Sequence, residues 1–152
     1  MKTQAAIAAA LILGVYFMLN TAKPRGIRNN NPLNIRVSND QWQGAVGDDG
    51  AFIKFNLASM GIRAAARILK NYRDKYGLNT VSGIINRWAP PVENDTESYV
   101  ASVAGKVGVG AEQLLEESDY PSLIMAMIYH ENGQQPYPVD VIREGFEMGF
   151  YS

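Results

Sequence analysis

Glu131 is the residue of this 152-residue chain best suited to moving a proton. It lies in "AMIYHENG", Ala126 to Gly133, where an apolar run gives way to the chain's only histidine, a glutamate and an Asn-Gly that reads as a helix stop. At about 100° of turn per residue, Tyr120, Ile124, Met127 and Ile128 fall within about 60° of Glu131, which puts the acid on the apolar stripe. A carboxyl there loses solvation and meets the negative end of the helix dipole. Both effects favour the protonated form that a general acid must hold. The competing reading is a glutamate that turns outward or bonds a backbone amide at the turn. His130 points about 100° away from Glu131 and has no second histidine at a metal-ligand spacing, so it reads as exposed or packed, and a Ser-His triad is set aside.

A second group of polar residues lies near the other end of the chain. Asn29, Asn30, Asn31 and Asn34 offer amide donors and acceptors without charge, and Trp42 and Gln43 follow closely. Neutral amides beside an aromatic ring are the composition of a surface that binds sugar hydroxyls and N-acetyl groups. The same asparagines also suit turn caps, and Trp42 also suits a core. Trp88, beside "APP", reads as a packing anchor rather than a sugar platform.

Composition narrows the remaining chemistry. The chain has no cysteine, one histidine and a formal net charge of −1. Thiol nucleophiles, disulfides and Cys- or multi-His metal sites are excluded, no cofactor is implied, and nothing broadly basic would draw the chain to nucleic acid. With 47% hydrophobic residues it can bury one ordinary core. The uncharged stretch Ala5 to Leu19 follows Lys2 and precedes "NTAKPRGIR". It is expected to be a membrane anchor that stays uncleaved, because Asn20-Thr21-Ala22 is a weak small-x-small site. As a helix rising about 1.5 Å per residue it is marginal against a hydrocarbon core of ~30 Å, and a buried apolar helix is its alternative. The expected organisation is residues 1–22 as anchor or signal-like helix and 23–152 as the folded domain.

The elements that must position these residues follow from punctuation and period. "NNNPLN" is turn-forming, and "QWQGAV" and "AFIKF" around "GDDG" predict a β-hairpin. From Leu57, Ile62, Ala65, Ala66, Leu69, Tyr72 and Tyr76 recur at helical steps up to a stop at Gly77. A helix from Thr80, with Val81, Ile84, Ile85 and Trp88 inward, breaks at "APP"; it should form a helical hairpin with its predecessor. Asn94 and Glu97 form a capping-box pattern ahead of Tyr99, Val100, Val103 and Val107, with Gly108 as the stop. A helical turn is expected around Ala111 to Leu115. Asp119 is then placed to cap the helix bearing Glu131, with Pro121 in its first turn, and Val141 to Met148 form the last helix. The fold class is therefore mainly α (α+β), with one small hairpin.

"AMIYHENG" resembles the helix of soluble lytic transglycosylases and goose-type lysozymes, in which an apolar helix ends in the catalytic glutamate followed by a small polar residue and glycine. Glu131 maps onto that acid, and Asn132 stands where serine is usual. "NDTESYVASV" is similar to the Thr-x-x-Tyr-Val-x-x-Val segment of the same enzymes, which maps Thr96, Tyr99, Val100 and Val103 onto it. In that family the glutamate helix comes first, whereas here it follows, so the resemblance implies a circularly permuted lysozyme-like domain. Together with "RGIRNNNPLNIR", "GIRAAARILKNY" and "NTVSGIINRWAPPVENDT", the chain from about Arg25 to Gly149 looks like phage proteins labelled structural or lysis proteins and associated with peptidoglycan degradation.

The resemblance implies an enzyme without metal or cofactor that cleaves the β-1,4 bond between N-acetylmuramic acid and N-acetylglucosamine. Glu131 would be catalytic, with Asn29, Asn30, Asn31, Asn34, Trp42 and Tyr99 as substrate-binding residues and Tyr99 bonding near the acid. A hydrolytic version would need a second carboxylate about 5–9.5 Å away, for which Asp48, Asp49 and Asp95 are the candidates. The implied partners are peptidoglycan glycan strands, a viral or host membrane through Ala5 to Leu19, and other virion proteins. The implied place is a membrane-associated position in the virion, with action on the host periplasm and cell wall. The alternative is a catalytically silent virion component that binds glycan or another shell protein.

Overall fold

Small residues decide which helices lie closest. The computed structural model describes residues 23–152, so the expected anchor at Ala5 to Leu19 lies outside the described residues. Helix α1 (Arg25–Arg28) leads through the asparagine loop to strands β1 (Ala45–Asp48) and β2 (Ile53–Phe55). Then come α2 (Ala58–Tyr76), α3 (Val81–Trp88), α4 (Thr96–Val107), a 3-10 turn (Glu117–Asp119), α5 (Tyr120–Asn132) and α6 (Val139–Phe150). The chain is mainly helical with one small antiparallel sheet, as the sequence patterns predict. Among the described residues no helix is long and apolar enough to cross a membrane.

The predicted helical hairpin of α2 and α3 is not what forms. Helix α2 runs along the C-terminal helix α6, while α3 packs on α4 and α4 on α5. The reason is steric. On α6, a Cβ at Gly145 would come within 2.6 Å of the Ile62 side chain, and one at Gly149 within 2.7 Å of the Ala66 methyl. Glycine at both positions, facing Ser59, Ile62, Arg63 and Ala66, lets the two backbones approach, and dispersion contacts across that seam fix the pair. Helix α3 reaches back to α2 through an edge contact between Trp88 and Tyr72 (6.3 Å between centroids) and through Arg87 over the Tyr76 ring.

The core joins all of these elements. Ile62, Leu69, Val81, Ile84, Ile85, Val103, Leu123, Ile124, Met127, Ile128 and Ile142 are fully buried, with Ile53 and Phe55 supplied by the hairpin. The residues predicted to face inward are buried, apart from Tyr72 and Trp88, which pack half-buried against the core, and Tyr76, which is exposed.

Several boundaries differ from expectation. Asp95, not Asn94, caps α4 by accepting from the Ser98 amide (3.2 Å) and hydroxyl (2.8 Å). Asn94 instead donates to Pro90 O (3.2 Å), because the proline turn offers its side chain a nearer partner. Asp119 accepts from the Glu116 amide (2.8 Å) and so closes the 3-10 turn rather than capping α5. Ala111 to Leu115 is not helical. Its backbone is used elsewhere, with Leu115 N donating to Asn79 O (2.8 Å) and Ala111 O accepting from Ser82 N (2.9 Å). The last helix extends beyond Val141 to Met148 at both ends.

Candidate functional site

Helix α5 delivers Glu131. Tyr120, Ile124, Met127 and Ile128 are all fully buried, and Glu131 continues the same stripe two residues before the left-handed stop at Gly133. There the stripe runs out of core, and the side chain emerges half-buried into a cleft of about 300 Å3. One wall carries Asn34, Arg36 and Phe52; the other carries Trp88, Glu93 and Asn94.

Both oxygens of the carboxylate are held. The Tyr99 hydroxyl donates to Oε1 at 3.0 Å and Asn34 Nδ2 donates to Oε2 at 3.2 Å. The two donors come from α4 and the asparagine loop, so the site is assembled from segments 32 and 97 residues away from the acid. Tyr99 is 3% exposed. Burial above all, then the neighbouring carboxylate and the hydrogen bond to it, push its phenol far above the ordinary tyrosine range. Tyr99 is therefore the donor in this hydrogen bond. Asn34 sits in the left-handed region (φ 52°), a conformation asparagine tolerates better than most residues, and its amide N–H is bonded to Asn31 O at 3.0 Å.

The other asparagines build the loop rather than face the cleft. Asn31 is fully buried; it donates to Ile35 O and Ile53 O and accepts from Ile35 N, all at 2.9 Å. Asn30 donates to Phe55 O at 3.0 Å, and Asn29 donates to Asp49 Oδ2 at 2.8 Å. These three tie the loop to the hairpin, and of the four only Asn34 touches the acid. Asn132, next to Glu131, clamps the loop to the end of α5 by donating to Pro32 O (2.7 Å) and Ile128 O (2.9 Å). The loop comes so close that a Cβ at Gly26 would lie 2.7 Å from Asn132 Oδ1 and 3.0 Å from Asn34 Oδ1.

Trp42 is not brought to Glu131. It lines a separate hollow with Arg63, Arg67 and Asn71 on α2. The candidate second carboxylates are engaged in local structure. Asp49 forms a bidentate pair with Arg25 (2.6 and 2.7 Å) and accepts from the Ala51 and Phe52 amides. The Arg25 guanidinium, with those amides and Asn29, holds the Asp49 carboxyl far below the usual range. Asp48 accepts from Gly50 N (2.8 Å), and Asp95 is the cap of α4.

Four residues near the acid were not placed there by the sequence reading: His130, Trp88, Glu93 and Arg36. The exposed imidazole of His130 stacks on the Tyr99 ring, with 3.8 Å between centroids and 24° between planes. His130, expected to be exposed or packed, is both, and it covers the tyrosine that holds the acid. Trp88 lines the cleft as well as packing on Tyr72, and Glu93 stands on the rim opposite Arg36. The signal for His130 was available in outline, since an aromatic ring next to a helix-end acid is placed to flank whatever the acid bonds. No local pattern could pair Arg36 with Glu93.

No family model matches the chain. It is 48% identical over 151 residues to Protein P5 of Pseudoalteromonas phage PM2, an alignment that covers 96% of this chain and 94% of that protein. At that identity and coverage the chain belongs to the family of phage PM2 Protein P5.

Proposed function

We propose that this protein is a peptidoglycan-degrading glycosidase of a bacteriophage, a lytic transglycosylase in which Glu131 is both acid and base. The observation that carries the reading is the double hold on Glu131 at the floor of a cleft, by the neutral donors Tyr99 and Asn34. Donors without charge orient the carboxyl without setting a formal positive charge against it.

In the proposed reaction the Glu131 carboxyl gives its proton to the glycosidic oxygen as the bond to the muramoyl C1 breaks. Glu131, now a carboxylate, takes the proton of the muramoyl 6-hydroxyl as that oxygen bonds to C1, forming a 1,6-anhydro sugar and restoring the acid. No water is consumed and no second carboxylate is needed. This suits a cleft whose lining includes none of Asp48, Asp49 and Asp95, which are engaged in turns and a cap. The contact of Tyr99 with Glu131 supports the permuted lysozyme-like reading, because it joins the two segments that the resemblance relates in the opposite chain order. Within this reading the segment Ala5 to Leu19 tethers the domain to a viral or host membrane, and the enzyme opens the cell wall during infection.

Zymography on purified peptidoglycan with the wild type and Glu131→Gln tests the reading. Clearing by the wild type and none by the variant is the expected result, with anhydro-muramoyl ends in the product masses. Undiminished clearing by Glu131→Gln would overturn the mechanism, and reducing ends would make the enzyme a hydrolase. Clearing by neither protein would favour a silent glycan-binding component of the virion.

A further inference from the structure

Arg36 and Glu93 meet across the mouth of the Glu131 cleft, Nη2 to Oε2 at 3.7 Å, with side chains 74% and 69% exposed. Arg36 belongs to the wall built by the loop and hairpin. Its backbone bridges to Phe52, and its guanidinium lies over the Phe52 ring, 5.7 Å from the centroid. Glu93 belongs to the opposite wall, in the turn between α3 and α4, where its amide bonds Pro90 O.

Phe52 carries two arginines that differ in distance from the ring and in how firmly each is paired. Arg25 lies 4.6 Å from the ring centroid and is committed to Asp49 by two short bonds. Arg36 lies farther from the ring, and its contact with Glu93 is long, single and open to water. Such a pair is screened and gives way to a competing charge. Among the described residues that line the cleft, Arg36 is the one cation. A guanidinium is suited to a planar carboxylate, which it can bind through two parallel N–H bonds.

The geometry points to Arg36 as the residue by which the cleft recognises a carboxylate on its glycan substrate, with Glu93 as the internal competitor that the substrate displaces. This rests on the glycan reading of the cleft. A peptidoglycan strand offers such a group in two places, the carboxylates of the stem peptides and, where the stem is removed, the lactyl carboxylate of muramic acid. A neutral strand of N-acetylglucosamine offers neither. Arg36 thereby selects charged wall glycan over neutral glycan, and Glu93 is the carboxylate that the substrate's own replaces on the guanidinium.

The test measures binding and turnover of three probes by the wild type, Arg36→Gln and Glu93→Gln. The probes are intact peptidoglycan, peptidoglycan stripped of its stems by an amidase, and a neutral chito-oligosaccharide. Arg36→Gln is expected to weaken binding of a carboxylate-bearing probe about five-fold, mainly in KM, and Glu93→Gln to strengthen it, with the chito-oligosaccharide unchanged by either. Dependence on Arg36 with intact strands only assigns the stem carboxylates; dependence with stripped strands only assigns the lactyl group. Equal loss on all three probes, or no loss on any, overturns the inference while leaving the glycan reading intact. Charge-selective binding by a wild type that cleaves nothing keeps the inference and removes the catalytic reading. A wild type that binds none of the probes overturns both.

Discussion

The Tyr99 hydroxyl donates to Glu131 Oε1 across 3.0 Å, and this bond joins two helices whose residues lie 32 apart in the chain. Burial and the adjacent carboxylate hold the Tyr99 phenol far above its ordinary range, so its hydroxyl is the donor of the pair. In Tyr99→Phe the ring remains to pack, and the donor to the acid is lost. A hydrogen bond to a charged group is worth about 1.5–3 kcal/mol, so wall-lytic activity is expected to fall by about ten- to a hundred-fold. Circular dichroism should remain that of the folded protein. The phenol absorbance titration up to about pH 11 should also be unchanged, because Tyr99 does not contribute to it there. Retention of full activity would show that the hold on Oε1 is dispensable.

His130 is predicted to matter through shape rather than proton transfer. Its ring lies 3.8 Å from that of Tyr99 and shields it from water. His130→Ala removes a stacking contact worth about 0.5–1.5 kcal/mol and leaves the Tyr99 ring open on that side. A several-fold fall in kcat with little change in KM is expected, and His130→Phe should restore most of it. Failure of the phenylalanine to rescue, with a normal melting temperature, would mean that the imidazole nitrogens are needed.

Asn34 offers a separation of backbone from side chain. Because it sits at φ 52°, Asn34→Gly keeps the loop conformation at no steric cost and deletes only the amide that reaches Glu131 Oε2. Thermal stability should change little, while activity falls by about ten-fold. Asn34→Ala adds a backbone penalty of about 1 kcal/mol, so it should lower stability as well as activity. If the two variants lose activity to very different extents, loop geometry outweighs the hydrogen bond.

The pattern of agreement between sequence and structure has a physical basis. Glu131, the stops at Gly77, Gly108 and Gly133, and the inward faces of α2 to α5 all depend on periodicity and punctuation, which act within one element. What could not be read locally was pairing. Helix α6 takes the place against α2 that was assigned to α3, because Gly145 and Gly149 permit an approach that only matters once distant segments meet. The asparagine loop is instructive in the same way. Four similar residues carry one role by composition and two by structure: Asn29, Asn30 and Asn31 satisfy the backbone and side chains of the hairpin, and Asn34 alone turns to the acid. Asp49 looked like a candidate carboxylate and is a strut, since its partner Arg25 lies 24 residues away.

That strut makes a pH prediction. Asp49 holds Asn29 and Arg25 together, and through Asn29 it fixes the start of the loop that ends at Asn34. Its carboxyl is depressed in the folded protein, chiefly by Arg25 and then by backbone amides and Asn29. A group depressed in this way adds stability that is fully present above its unfolded value of about 4 and is lost as pH falls through the folded value. The melting temperature of the wild type should therefore decline progressively below about pH 4. Asp49→Asn should melt lower than the wild type at neutral pH, and the gap should narrow as the pH falls, because the variant has no proton to gain at this position. Parallel curves for the two proteins down to about pH 2 would show that the Arg25 pair contributes nothing to folding.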